Sequence, residues 1–253
     1  MIDEKREIVV PKEKFDAVIF DMDGVVTDTA GLHGEAWKLM FDGFLEAYAK
    51  RHEQKQPLFD LDQDYRLHVD GKPRFDGVRD FLASRGITLP EGELDDPPGT
   101  DTVHALGNWK NDLFHELLDR KGAVAYPGTV KLLHELHRAG IGRAIISSSK
   151  NAVKILKSAG VLDLFEAKVD GLDSLKLGIP GKPAPNIFLE AAKALKVRPE
   201  RAVVVEDAIS GVQAGRSGGF GLVIGVDRIG NPEALRSNGA DVVVSDLAEV
   251  NVV

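Results

Sequence analysis

An α/β protein, with a parallel sheet covered on both faces and a helical segment inserted behind its first strand, is the fold class that three observations in the sequence predict. Short apolar runs recur at 17–20, 141–147, 201–207, 221–227 and 240–246, and stretches of helical period separate them. Such alternation requires crossovers between parallel strands. Between the first run and the second, residues 33–122 carry helical patterns. Each apolar run also empties into polar residues: Asp21, Ser147, Glu206-Asp207, Asp227 and Asp246. Polar groups then collect at one edge of the sheet, the edge where open α/β sheets bind ligands.

Taken in order, residues 1–14 are charged and read as a solvated leader. Ala17, Val18, Ile19 and Phe20 form a continuous apolar run of the kind a doubly buried strand shows, and Gly24 is a turn residue after Asp21 and Asp23. In residues 33–48 the period changes to helical, with Ala36, Trp37, Met40, Phe41, Phe44, Leu45 and Tyr48 on one face. Similar patterns return at 75–85 and 103–118, and the Pro, Gly and Asp content of 90–101 marks a surface loop. After Tyr126-Pro127-Gly128 the chain alternates, with helices that stop at Gly140 and Gly160 and further helical stretches at 184–195 and 208–217.

Composition narrows the function. Hydrophobic residues at 43% of a 253-residue chain are enough for a sizeable core. A net charge of −8 without a basic block argues against nucleic-acid or acidic-membrane partners. There is no cysteine, which excludes disulfides and thiolate metal sites and suits a reducing, cytoplasmic setting; the start lacks the apolar region of a signal peptide. No P-loop, dinucleotide fingerprint or nucleophile elbow follows a strand.

The acidic pairs carry the chemistry. Asp21 and Asp23, with Glu206 and Asp207, suit a hard divalent cation held by oxygen, and Mg²⁺ fits better than Zn²⁺ or Ca²⁺. An EF-hand reading of Asp21-Met22-Asp23-Gly24 fails, because Val25 stands where that loop needs a third Asp or Asn. Next to a cation, an ionised Asp can attack phosphorus while a second Asp moves the proton of the acceptor oxygen. Ser147 and Lys182 are suitable donors to the transferring phosphoryl oxygens. By themselves, Arg74 and Lys110 read as solvated charges, while His33 stays open between a functional group and a surface or capping residue, and Lys182 between a phosphoryl donor and an exposed loop lysine.

In order along the chain, DMDGVVTDT, the strand-end serine, GKPAPNIF and VVVEDAISGVQAG resemble the four motifs of the haloacid-dehalogenase superfamily of phosphotransferases. That resemblance implies a Rossmann-like core, residues 15–28 with 124–253, and an α-helical cap, residues 33–122. It implies Asp21 as nucleophile and Asp23 as acid/base, and Mg²⁺ held by Asp21, the Asp23 carbonyl, Asp207 and Glu206. The phosphate falls to Ser147, Ser148 and Lys182.

The chain is further similar to the β-phosphoglucomutase-like branch in TDTAGLHGEAW and IISSSKN. By that similarity His33 faces the active site, Ser149, Lys150 and Asn151 extend the phosphate loop, and Arg74 and Lys110 hold a second phosphate. The branch implies a sugar-phosphate substrate and a hexose 1,6-bisphosphate intermediate and activator. Three readings follow: a phosphomutase acting on β-D-glucose 1-phosphate, a sugar-phosphate phosphatase at the same site, and a metal-dependent binding module without activity. Three departures from the common pattern, a longer loop near 86–102, Ser148 and Ala208, bear on sugar specificity and cap closure rather than on the reaction type.

Overall fold

A computed structural model describes residues 8–70 and 72–253. In chain order it contains β1 (Ile8–Val10), β2 (Ala17–Asp21), α1 (Ala30–His52), α2 (Arg74–Ser84), α3 (Val103–Lys121), α4 (Pro127–Ala139), β3 (Gly142–Ile146) and α5 (Ala152–Ser158). There follow β4 (Ala167–Val169), α6 (Gly171–Leu177), α7 (Asn186–Ala194), β5 (Ala202–Glu206), α8 (Ile209–Ser217), β6 (Leu222–Val226), α9 (Pro232–Ser237), β7 (Val242–Val244) and β8 (Val250–Val252). The chain divides into two compact units, one running through Asp28 and resuming from Ala123 to Val253, the other Thr29–Gly122. Among the described residues no helix is long and apolar enough to cross a membrane.

The first unit is built on a six-stranded sheet in the order β4-β3-β2-β5-β6-β7, and every pairing is parallel. β2 and β5 are buried along their whole length, as their unbroken apolar runs require. From β2 the chain adds β3 and β4 on one side, then crosses to begin β5 on the other. That reversal makes β2 the switch point of the sheet, where side chains at the carboxyl edge have an open crevice. Register sets their height: Phe20 pairs with both Ile145 and Val205, so Asp21 and Glu206 end their strands level and Ser147 follows one step on.

The leader expectation needs correction. Residues 1–7 lie outside the described residues, but Ile8–Val10 is a strand rather than solvated chain. It pairs in parallel with β8, Ile8 facing Val250 and Val10 facing Val252, and Val10 is buried. A three-residue strand has too little periodic signal to be seen in sequence. The shortness of β4, β8, α6 and α9 hid them for the same reason.

In the second unit, α1 runs from Ala30 to His52, longer at both ends than its apolar stripe, and its last turn carries Lys50, Arg51 and His52. Those cations suit the negative end of a helix dipole. Trp37, Met40, Phe41, Phe44 and Leu45 pack with Phe59, Val78, Phe81, Leu82, Val103 and Leu106 from the rest of the unit. Thr102 caps α3, its hydroxyl accepting from the Ala105 N–H at 3.1 Å.

Candidate active site

At the carboxyl edge of the sheet, one oxygen from each of Asp21, Glu206 and Asp207 lies within 4.8 Å of the others. Asp21 and Glu206 are buried, and Glu206 is fully so. Lys182 reaches both: its Nζ lies 2.5 Å from Asp21 Oδ1 and also pairs with Glu206 Oε1. The other oxygen of Glu206 accepts from the Ala208 N–H at 2.8 Å. Glu206 is therefore anchored on both sides, and a cation bound there would compete with Lys182 for its Oε1. The lysine side chain is only 7% exposed, which sets aside the alternative of an exposed loop lysine.

Charge and burial work together here. Burial pushes the Asp21 carboxyl well above the ordinary carboxylate range; Lys182 pulls it down, while Glu206 and Asp23 push it further up. For Lys182 burial favours the neutral amine, but the two carboxylates outweigh it and hold the ammonium above the usual lysine value. Asp21, Glu206 and Asp207 bring three carboxylate groups to one place. An all-oxygen donor set of this kind fits a hard divalent cation.

The turn after β2 holds Asp23 half-buried beside this cluster in sequence. The Gly24 N–H donates to the Thr27 carbonyl at 2.9 Å, and the Val26 N–H to Met22 at 2.9 Å. Gly24 has φ +78°, and a Cβ there would come 1.9 Å from Asp207 Oδ2, so the turn admits only glycine. Arg228, which the sequence reading did not single out, secures the turn from outside. Its Nε donates to the Gly24 carbonyl at 2.8 Å, and its guanidinium lies 3.7 Å over the Tyr126 ring. Burial and the adjacent Asp28 push the Tyr126 phenol up to about 12.

Ser147 is buried at the end of β3, and its Oγ accepts from the Ser149 N–H at 3.0 Å. An accepting hydroxyl keeps its own proton to donate. Ser149 Oγ in turn accepts from the Asn151 N–H at 3.1 Å, while Ser148 and Lys150 are exposed. The loop is braced by the end of β4: the Gly171 N–H donates to Ser149 O at 3.1 Å, and Asp170, buried and paired with Lys168, caps α6. Asp170 was missed because its strand is three residues long. Of the other strand-end acids, Asp227 accepts from the N–H groups of Ile229, Gly230 and Asn231. Asp246 likewise accepts from Ala248. Both shape their own turns.

Within the second unit, His33 and Lys110 meet. Lys110 Nζ donates to His33 Nδ1 at 2.7 Å, which places the ring proton on Nε2. Lys110 is buried, with Trp37 and Phe114 rings 4.9 and 5.0 Å from its Nζ, so it is no solvated charge. Burial and the Lys110 charge hold the His33 imidazole well below its ordinary pKa. Arg74, the first residue of α2, has Asn108 Oδ1 at 3.5 Å from its Nη2.

The family model described as haloacid dehalogenase-like hydrolase matches residues 15–219. A protein named beta-phosphoglucomutase from Mycobacterium bovis is 48% identical over 241 residues, covering 94% of this chain and 92% of the relative. Another of that name from Bacillus subtilis is 32% identical, over 93% of this chain and 92% of its own. The crystal structure of beta-phosphoglucomutase from Clostridium difficile matches with a TM-score of 0.71 at 27% identity, covering 93% of this chain and 92% of that one. With most of its length matched in each case, the chain belongs to the haloacid dehalogenase-like hydrolase family and, within it, to the β-phosphoglucomutase-like branch of phosphotransfer enzymes.

Proposed function

We propose that this enzyme is a phosphomutase that interconverts β-D-glucose 1-phosphate and glucose 6-phosphate through a phosphorylated Asp21 and a 1,6-bisphosphate intermediate. The observation that carries the reading is Asp21 itself: a buried strand-end carboxylate held at 2.5 Å by Lys182 inside a three-carboxylate cluster. The 48% identical relative named beta-phosphoglucomutase supports the choice of substrate.

Phospho-Asp21 passes its phosphoryl group to the sugar 6-hydroxyl. The Asp21 O–P bond breaks as the sugar O–P bond forms, and Asp23 takes the hydroxyl proton. The bisphosphate turns around and returns its 1-phosphoryl group to Asp21, and Asp23 gives the proton back to the leaving oxygen. Lys182 and Ser147 donate to the phosphoryl oxygens throughout. Asp21, Asp207, Glu206 and the Asp23 carbonyl would hold Mg²⁺, whose charge offsets repulsion between the attacking carboxylate and the anionic phosphoryl group. Arg74 and Lys110 take the phosphate that is not reacting, with His33 as the partner that orients Lys110. Ser148, Ser149, Lys150 and Asn151 complete the phosphate loop.

A second reading, in which water replaces the sugar as acceptor, is favoured by the hydrolase description of the family model. A coupled assay of β-glucose 1-phosphate with Mg²⁺ and a trace of glucose 1,6-bisphosphate, read against phosphate release, separates the two. Isomerisation in excess of release is expected, and release alone would give the site to a phosphatase. A non-catalytic binding module does not fit a chain so like enzymes along its whole length.

A further inference from the structure

The loop at 90–101 has no part in the reaction as proposed, yet the second unit grips it from three helices. Arg79 of α2 donates from Nε and Nη2 to both carboxylate oxygens of Glu91 at 2.8 Å. Arg51 of α1 pairs with Asp101, and Thr102 Oγ1 donates to Asp96 at 2.7 Å. From α3, His104 Nδ1 meets the Gly92 carbonyl at 3.0 Å, and the Asn108 amide donates to the carbonyls of Leu94 and Asp96 at 3.0 Å each.

Two of these contacts continue to Arg74. Asn108 turns its Oδ1 to the Arg74 Nη2 at 3.5 Å, so one side chain joins the loop to the guanidinium. The second route runs through rings: His104 meets Phe75 at 4.5 Å, and Arg74 lies 4.9 Å over the face of Phe75. Phe75 is seated on bare backbone, since a Cβ on Gly107 would come 2.5 Å from it. Arg74 itself is short of acceptors. Its Nε is buried without a hydrogen-bond partner, and the carboxylate that acts on its charge is Asp112. A buried guanidinium donor left unpaired is costly, and an anion relieves the cost.

We propose that Asn108 and His104 are positioning residues that couple the conformation of the 90–101 loop to Arg74, so that this loop sets the affinity for the substrate's non-reacting phosphate. The inference rests on the proposed role of Arg74 and deepens it. A loop that can differ in length, tied to the group that reads the far end of the sugar phosphate, is a means of choosing among sugars without touching Asp21.

The test compares Asn108→Ala, Arg74→Ala and the double variant. Three quantities are read: the KM for β-glucose 1-phosphate, the activation constant for glucose 1,6-bisphosphate, and hydrolysis of acetyl phosphate, a donor with no second phosphate. Asn108→Ala should raise both constants about five- to tenfold, the effect of one weakened hydrogen bond to a charged group. It should leave kcat and acetyl phosphate hydrolysis unchanged, and in the Arg74→Ala background it should add nothing. A lower Tm with both constants unchanged, or an effect that persists in the double variant, overturns the proposal. Constants unmoved by Arg74→Ala alone would instead overturn the phosphate role of Arg74. If Asn108→Ala does not fold, Asn108→Asp keeps an oxygen for Arg74 but loses both amide donors; unchanged constants there also overturn the proposal.

Discussion

Lys182 is held by Glu206 as well as by Asp21, so the lysine from the loop before α7 ties together the carboxyl ends of β2 and β5. Glu206 is completely buried and Asp21 nearly so. The ammonium is what makes two adjacent buried carboxylates tolerable.

Replacement of Lys182 by Met should therefore be damaging on two counts. Two buried carboxylates lose their counter-charge, which is expected to lower stability by about 3–5 kcal/mol. Loss of the proposed donor to the phosphoryl oxygens should reduce kcat by about 10²–10³. Denaturant unfolding and initial rates measure the two effects separately. Lys182→Arg, which keeps the charge but not the compact ammonium, should recover stability better than turnover.

Gly211, in the first turn of α8, makes room for the Glu206 carboxylate. A Cβ there would come 1.8 Å from Oε1 and 1.9 Å from the carboxyl carbon. Neither atom can retreat without giving up Lys182 or the Ala208 N–H. Gly211→Ala should cost about 1–3 kcal/mol by overpacking. It should also lower turnover by displacing Lys182. Unchanged turnover in a variant of lowered Tm would separate Glu206 placement from catalysis.

His33 predicts a pH dependence of stability. Its folded-state pKa is depressed, by burial first and then by Lys110. Between that value and the ordinary pKa of about 6.5 the unfolded chain carries a proton that the folded one does not. Stability contributed by the neutral ring is complete above about pH 6.5 and falls as pH drops below it, by at most about 1.4 kcal/mol per unit. Urea unfolding from pH 7.5 to 5.5 should show the slope, and His33→Gln should flatten it. An identical slope in the variant would assign the effect to another group.

Mg²⁺ should stabilise the folded protein apart from any effect on rate. At a hundred times its dissociation constant a ligand specific to the folded state adds about 2.7 kcal/mol. Thermal unfolding with and without Mg²⁺, and after chelation, should show the shift. Asp207→Asn should abolish it, because the cluster loses one of its three carboxylates.

Much of this molecule was legible in the chain because the relevant signals are local. An apolar run that stops at Asp21, Ser147 or Glu206 states both the strand and its end. Repetition of that pattern with helices between them states a parallel sheet with its polar groups on one edge. The same pattern did not distinguish Asp227 and Asp246, which hydrogen-bond their own turns, from the acids of the site.

What only the tertiary structure decided is which groups meet. Lys182 finds Asp21 across 161 residues of sequence, and Asn108 finds Arg74 across 34. Nothing in the neighbouring residues encodes such a partner, since it depends on strand order and on how helices pack. Burial of Lys110 against Trp37 and Phe114, and the pairing of β1 with β8, are decided in the same way. The sequence by itself determined where charges leave the strands and the order in which they come. Folding determined which of them are buried together, and burial is what turns a list of acids and bases into Asp21 held by Lys182, the carboxylate proposed as the nucleophile.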